Sequence, residues 1–228
     1  MHEGTAALLD VFVKGYLADR RGIPTRILHI GDEGIDVVRR VFGEPDWSLT
    51  TAGQYTAGDL TVQLRQSYQW SEIKAKQFDV VTSSQTLENL DYPWVTMLEL
   101  ARVLRPGGLA CVLASSDRRE HLPPTDCWRF KADGLIALVE WADLESLELA
   151  VESRDNSAGH SPEPRSDVMV VARRPIVALR RRLVAWIRVG ALRRLCIRQA
   201  RHRADHLEIR RELRRREARR RAWVGRTG

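Results

Sequence analysis

Cysteine is scarce in this chain of 228 residues, with three thiols at Cys111, Cys127 and Cys196. Their number and spacing give neither a disulfide framework nor a zinc site, so a reducing cytoplasm is the expected setting and no metal is expected. No uninterrupted apolar run approaches the ~20 residues of a membrane span. The opening MHEGTAALLD has no basic stretch followed by an apolar one, so no signal peptide is expected. There is no internal repeat. Against these absences, 43% of the residues are hydrophobic and 29% charged, a balance that supports a packed core and excludes collagen or wholesale disorder.

The charge is divided along the chain. Residues 1–171 carry 17 Lys and Arg against 26 Asp and Glu, a net of −9. Residues 172–228 carry 20 Arg against 4 acids, a net of +16. The overall +7 therefore describes neither part. We read an acidic domain over 1–174 and a basic extension over 175–228.

Within the acidic domain, apolar runs alternate with helical periodicity. Residues 26–30 (RILHI) predict a strand, Gly31-Asp32-Glu33-Gly34 a tight turn, and Ile35, Val38, Val41 and Phe42 a helix face. Short strands are expected at 48–52 and 61–64, and a buried one at 78–83 (FDVVTS). Asp91 is placed to cap a helix with Pro93 in its first turn, and Pro106-Gly107-Gly108 to stop it. A strand is expected at 109–114, a helix capped by Asp133, and strands at 145–152 and 167–172. The order predicts an α/β fold: a doubly wound, Rossmann-like, mostly parallel sheet with an antiparallel hairpin at one edge, followed by a basic helical extension.

The segment FDVVTSSQTLENLDYPWVTMLELARVLRPGGLACVLA, residues 78–114, resembles the fourth strand, helix and fifth strand of class I S-adenosylmethionine-dependent methyltransferases. The likeness extends over about residues 22–172. EHLPPTDCWRF, residues 120–130, is similar to an insertion in a branch associated with glycan or lipid-linked sugar modification. The resemblance implies S-adenosylmethionine as cofactor and methyl transfer to an oxygen, with a small-molecule or glycan acceptor. A methyltransferase-like scaffold without catalysis is the competing reading, and a nucleic-acid-associated protein a weaker one.

In such folds the ligand lies outside the carboxyl ends of the strands, and a glycine-rich turn admits the cofactor. The resemblance assigns cofactor contacts to Gly31, Asp32, Glu33 and Gly34. His29 stands where the family has an acid, and Glu33 where it has a small residue. Gly53 stands where the ribose-binding acid is usual, leaving Gln54 as the neighbouring acceptor. Gln69 and Trp70 precede the fourth strand, where adenine is contacted. Trp70 fits base stacking and fits cover of a sheet edge. Ser83, Ser84 and Gln85 are expected at the mouth of the site. Among catalytic candidates, His121 is of the residue type that most often serves as a general base, and Asp126 is placed to orient it. The other reading pairs Asp126 with Arg129. Glu88 is a third candidate, open also to a plain first-turn charge on a helix.

From Pro175 onward, Ile176, Leu179, Leu183, Ile187 and Leu195 fall near one stripe and Arg fills much of the rest. A basic amphipathic helix of this kind suits an anionic membrane surface, with Trp186 at headgroup level. An acidic protein, including another copy of the −9 domain in a homo-oligomer, suits it too. Nucleic acid ranks below both, because the arginines are not interleaved with aromatics. The expected location is cytoplasmic, peripheral at the inner membrane face. Full-length protein is expected to float with vesicles in proportion to their anionic lipid content, and a chain ending at Arg174 to stay behind. Equal behaviour of the two, or preference for duplex DNA at the same salt, would remove the membrane reading.

Overall fold

The computed structural model describes residues 3–32, 34–53, 59–62, 68, 70–117, 126–154, 165–176, 187, 190–192 and 194–195. The apolar run after Pro24 forms β1 (Thr25–Ile30) and the periodic stretch after Gly34 forms α2 (Ile35–Val41). They follow α1 (Glu3–Tyr16), which the motif-led reading leaves unassigned although Leu8, Leu9, Phe12 and Val13 recur on one helical face. β2 (Trp47–Gly53), the two-residue β3 (Leu60–Thr61) and β4 (Phe78–Ser84) come next. α3 (Pro93–Val103), β5 (Leu104–Asp117), α4 (Ala132–Trp141), β6 (Glu145–Arg154) and β7 (Arg165–Arg173) complete the domain.

The seven strands form one sheet in the order β3-β2-β1-β4-β5-β7-β6. Pairing is parallel from β3 to β5, and β7 runs antiparallel to both β5 and β6. The expected doubly wound sheet with an antiparallel edge pair is therefore the observed architecture. Side-chain alternation sends Ile27, Val80, Cys111 and Val171 to the face covered by α1 and α2, with Leu9, Phe12, Val38 and Phe42. Leu28, Val81, Val112 and Val170 point to the other face, under α3 and α4, with Leu98, Leu135 and Val139.

Two helix starts and one stop differ from expectation. The N-cap of α3 is Tyr92 rather than Asp91, with Pro93 at the first helical position; that of α4 is Lys131, with Asp133 inside the first turn. Pro106-Gly107-Gly108 lies within β5, not at the end of α3. The helix ends at Val103 and the chain turns directly into strand, so the glycines serve a register shift against β4 between Phe78 and Val80. A Cβ at Gly108 would lie 2.8 Å from the Asp79 carbonyl, and Gly107 has φ 77°. Here Arg174 N–H donates to the Gly108 carbonyl and its guanidinium to the carbonyls of Arg102 and Leu104, closing the C-terminal end of α3.

A buried ion pair fixes the approach to β4. Glu99 is 0% exposed and accepts from Arg102, while Arg102 also donates to the carbonyls of Ile73 and Trp70. Trp70 N–H donates to Glu99 at 3.1 Å. Replacing Arg102 with Met withdraws the guanidinium from a fully buried carboxylate and is expected to cost about 3 kcal/mol of unfolding free energy. The double change Glu99→Gln, Arg102→Met is expected to cost less than the single one. Denaturant midpoints check this, and a near-neutral Arg102→Met would contradict it.

Candidate active site

The carboxyl ends of β1, β2, β4 and β5 meet along one rim, where a sheet wound in both directions leaves its crevice. Gly31, Asp32 and Gly34 follow β1, Gly53 ends β2, Ser83, Ser84 and Gln85 end β4, and Asp126 follows β5. The sequence-derived candidates thus gather on one side of the sheet. Glu33, Gln54, Gln69 and His121 lie outside the described residues.

The turn after β1 is held from two sides. Gly31 N–H donates to the Ala52 carbonyl at 3.0 Å. A Cβ at Gly31 would sit 2.8 Å from Thr86 Oγ1 and 3.0 Å from the Ser84 carbonyl, and its φ of 149° suits glycine. The close approach that requires glycine here is to the turn after β4. Thr86 Oγ1 donates within the same turn to the Ser84 carbonyl, 2.9 Å, and lies 3.2 Å from the Ile30 carbonyl. Gly34 takes φ 67° and precedes α2.

At the end of β2, Gly53 faces Asp32. A Cβ on Gly53 would lie 2.0 Å from Asp32 Oδ1 and 2.8 Å from its Cγ, so the Asp32 carboxylate occupies the space of a side chain at 53. Asp59 secures this strand end: its carboxylate accepts from Thr51 N–H at 2.8 Å and pairs with Arg39 of α2. The Thr51 amide and the Arg39 guanidinium hold its pKa down, against the opposing effect of burial.

His29, where the resemblance places an acid, faces inward. It is 0% exposed, with Nδ1 2.8 Å from Thr82 Oγ1 and Nε2 3.4 Å from Ser84 Oγ. Burial pulls its pKa down to about 4, so the ring is neutral near pH 7. Ser83 and Ser84, expected at the mouth, are also buried, because β4 is flanked by β1 and β5 and covered on both faces. Gln85 has φ 51°, a left-handed conformation that bends the chain away from the sheet. Its amide donates to Asp167 at 3.0 Å, and Thr5 Oγ1 donates to the same carboxylate at 2.9 Å, so α1 is tied to the ends of β4 and β7.

Glu88 sits in a 3-10 turn, 2% exposed, and accepts from Ser115 N–H at 3.3 Å. Its carbonyl accepts from Cys127 N–H and Trp128 N–H, which docks the segment after β5 onto the turn after β4. Asp126 is gripped by both terminal nitrogens of Arg129, which matches the ion-pair reading of this segment. Trp70 is 0% exposed within the main core, with its indole packed away from solvent.

An apolar groove of about 450 Å³ lies between α3, α4 and the segment after β5. Trp94, Trp128, Phe130, Leu138 and Trp141 line it. Trp128 and Trp141 are 40% and 37% exposed, and Trp94 meets Trp128 edge to face at 6.0 Å. Trp94 and Trp141 belong to the helices expected after Asp91 and Asp133, and no groove is anticipated there from sequence. Their residue type is the signal: large aromatics left partly exposed at successive turns of neighbouring elements.

A family profile described as "Methyltransferase domain" matches residues 48–112, from β2 through most of β5. No curated protein matches. Among solved structures, a 1,6-didemethyltoxoflavin-N1-methyltransferase from Burkholderia thailandensis, bound to 1,6-didemethyltoxoflavin and S-adenosylhomocysteine, is similar at TM-score 0.56 and 11% identity. The match covers 76% of this chain and 79% of that one. The [4+2]-cyclase SpnF is similar at TM-score 0.55 and 17% identity, over 75% and 81%. A SAM-dependent methyltransferase from Methanosarcina mazei is similar at TM-score 0.52 and 14% identity, over 73% and 98%. The fold is that of the Rossmann-like methyltransferases.

Buried His29 generates a pH prediction. The unfolded chain takes up a proton at His29 near pH 6.5, the folded chain near pH 4. The unfolded state binds more protons in that window, so stability falls as the pH drops through it, by up to about 3 kcal/mol. His29→Gln is expected to flatten this part of the profile in denaturant titrations between pH 7 and 4. An unchanged slope would show that His29 is not its source.

Proposed function

We propose that the protein transfers a methyl group from S-adenosylmethionine to an oxygen of its acceptor, and that the acceptor is a sugar or glycolipid hydroxyl. The carrying observation is the rim itself: a glycine turn after β1, a strand end kept free of side chain at Gly53, and a carboxylate between them. The match over residues 48–112 supports the same reading. These residues fit the adenosyl group. Gly31 and Gly34 hold the turn, with Asp32 between them. When bound, S-adenosylmethionine supplies an electrophilic methyl group.

The chain's own share of the chemistry is orientation, exclusion of water and removal of a proton. The groove of Trp128 and Trp141 offers flat apolar faces on the side of α3 and α4, suited to the carbohydrate ring of a glycolipid or its apolar part. His121 is the general base in this reading, while Asp126 is held by Arg129. The basic extension 175–228 holds the acidic domain at an anionic membrane surface, which brings the rim near a lipid-linked acceptor. The second reading, a binding or scaffold subunit without catalysis, draws on buried His29 where the resemblance places an acid, and on Glu33 and Gly53.

Calorimetric titration with S-adenosylhomocysteine separates the two. Saturable binding is expected, and Glu33→Gly is expected to tighten it about tenfold by removing a bulky anion beside the cofactor's carboxylate. With binding in hand, His121→Ala is expected to lower turnover by about 10²-fold. Absence of binding in both wild type and Glu33→Gly would remove the enzyme reading.

A further inference from the structure

We infer that Asp32 has taken over the ribose-binding role that this type of fold ordinarily gives to an acid at the end of the second strand. The inference rests on the cofactor reading above and assigns a specific contact within it. In doubly wound nucleotide-binding folds the ribose hydroxyls are held by a carboxylate about 20 residues beyond the glycine turn. Here that place is Gly53. Its φ lies outside the left-handed region, so no backbone strain demands glycine there.

The space beside its Cα is instead taken by the Asp32 side chain. The register pairs Ile30 with Ala52, and Gly31 N–H donates to the Ala52 carbonyl, which puts the turn directly beside the strand end. Asp32 Oδ1 then lies 2.0 Å from where the Gly53 Cβ would be, well inside the reach of an aspartate at 53. An acid at 53 would have to displace the Asp32 carboxylate from this space. The same functional group reaches the same end of β2 from the other strand. Asp32 is half-buried at the rim.

The test is calorimetry on full-length protein with two probes. S-adenosylhomocysteine carries both ribose and amino-acid ends, whereas methylthioadenosine keeps the ribose and lacks the amino acid. Asp32→Asn preserves shape and is expected to weaken both probes by about tenfold or more, the scale of a hydrogen bond to a charged group. Gly53→Asp alone is expected to weaken binding through collision with Asp32, and Asp32→Ala combined with Gly53→Asp to recover affinity to within a few-fold of wild type. Circular dichroism checks folding, and Asp32→Ser replaces Asp32→Asn if the latter does not fold. Unchanged affinity for both probes in Asp32→Asn would overturn the assignment while leaving the cofactor reading intact. A loss confined to S-adenosylhomocysteine would place the carboxylate at the amino-acid end and also overturn it. No binding of either probe by wild type would overturn both readings together.

Discussion

β4 is buried along its whole length, and that constraint decides where chemistry can lie. A parallel strand flanked on both sides and covered on both faces cannot present polar groups to solvent. Thr82 and Ser84 therefore meet His29 across the sheet. A carboxylate in place of His29 would need a charged or well-hydrated partner in the same space; a neutral imidazole does not. The working surface is displaced from the strands to the turns that follow them. Thr86 and Gln85 fold the turn after β4 against Gly31 on one side and α1 on the other.

This displacement explains why some of the fold was legible in sequence and part of the site was not. Apolar runs located six of the seven strands, because burial on both faces leaves an unbroken run and an edge hairpin leaves an alternating one; the expected strand at 61–64 meets β3 only at Thr61, and positions 63–64 lie outside the described residues. The Gly-rich break at 106–108 misled, since a glycine pair that ends a helix and one that serves a register shift look alike in one dimension. α1 carries a helical period but no neighbouring motif. In the site, the sequence shows a glycine at the end of β2, but the approach of Asp32 to Gly53 is a contact between two strand ends. It depends on the register of β1 against β2 and on the absence of one Cβ, and residue spacing records neither.

The two parts of the chain differ in how physics constrains them. The acidic domain is fixed by layered packing, with Arg174 closing the C-terminal end of α3 where the sheet ends. Ile176 then meets Gly107 at 3.1 Å from its would-be Cβ. Beyond that point Leu192 packs against the main core, while Ile187 and Leu195 are exposed. Among the described residues, no helix is long and apolar enough to cross a membrane. The aromatic groove between α3 and α4 adds a second apolar feature, on the face opposite α1 and α2.

The central claim is that the adenosyl group sits at the junction of β1 and β2, between the glycine turn and Gly53. Backbone amide chemical shifts, followed while S-adenosylhomocysteine is added to labelled full-length protein, test it most directly. The account predicts saturable shifts concentrated at Gly31, Asp32, Gly34 and Gly53, with smaller ones at Gln85 and Thr86. Shifts confined to the groove of Trp128 and Trp141, or none at all at millimolar ligand, would contradict it.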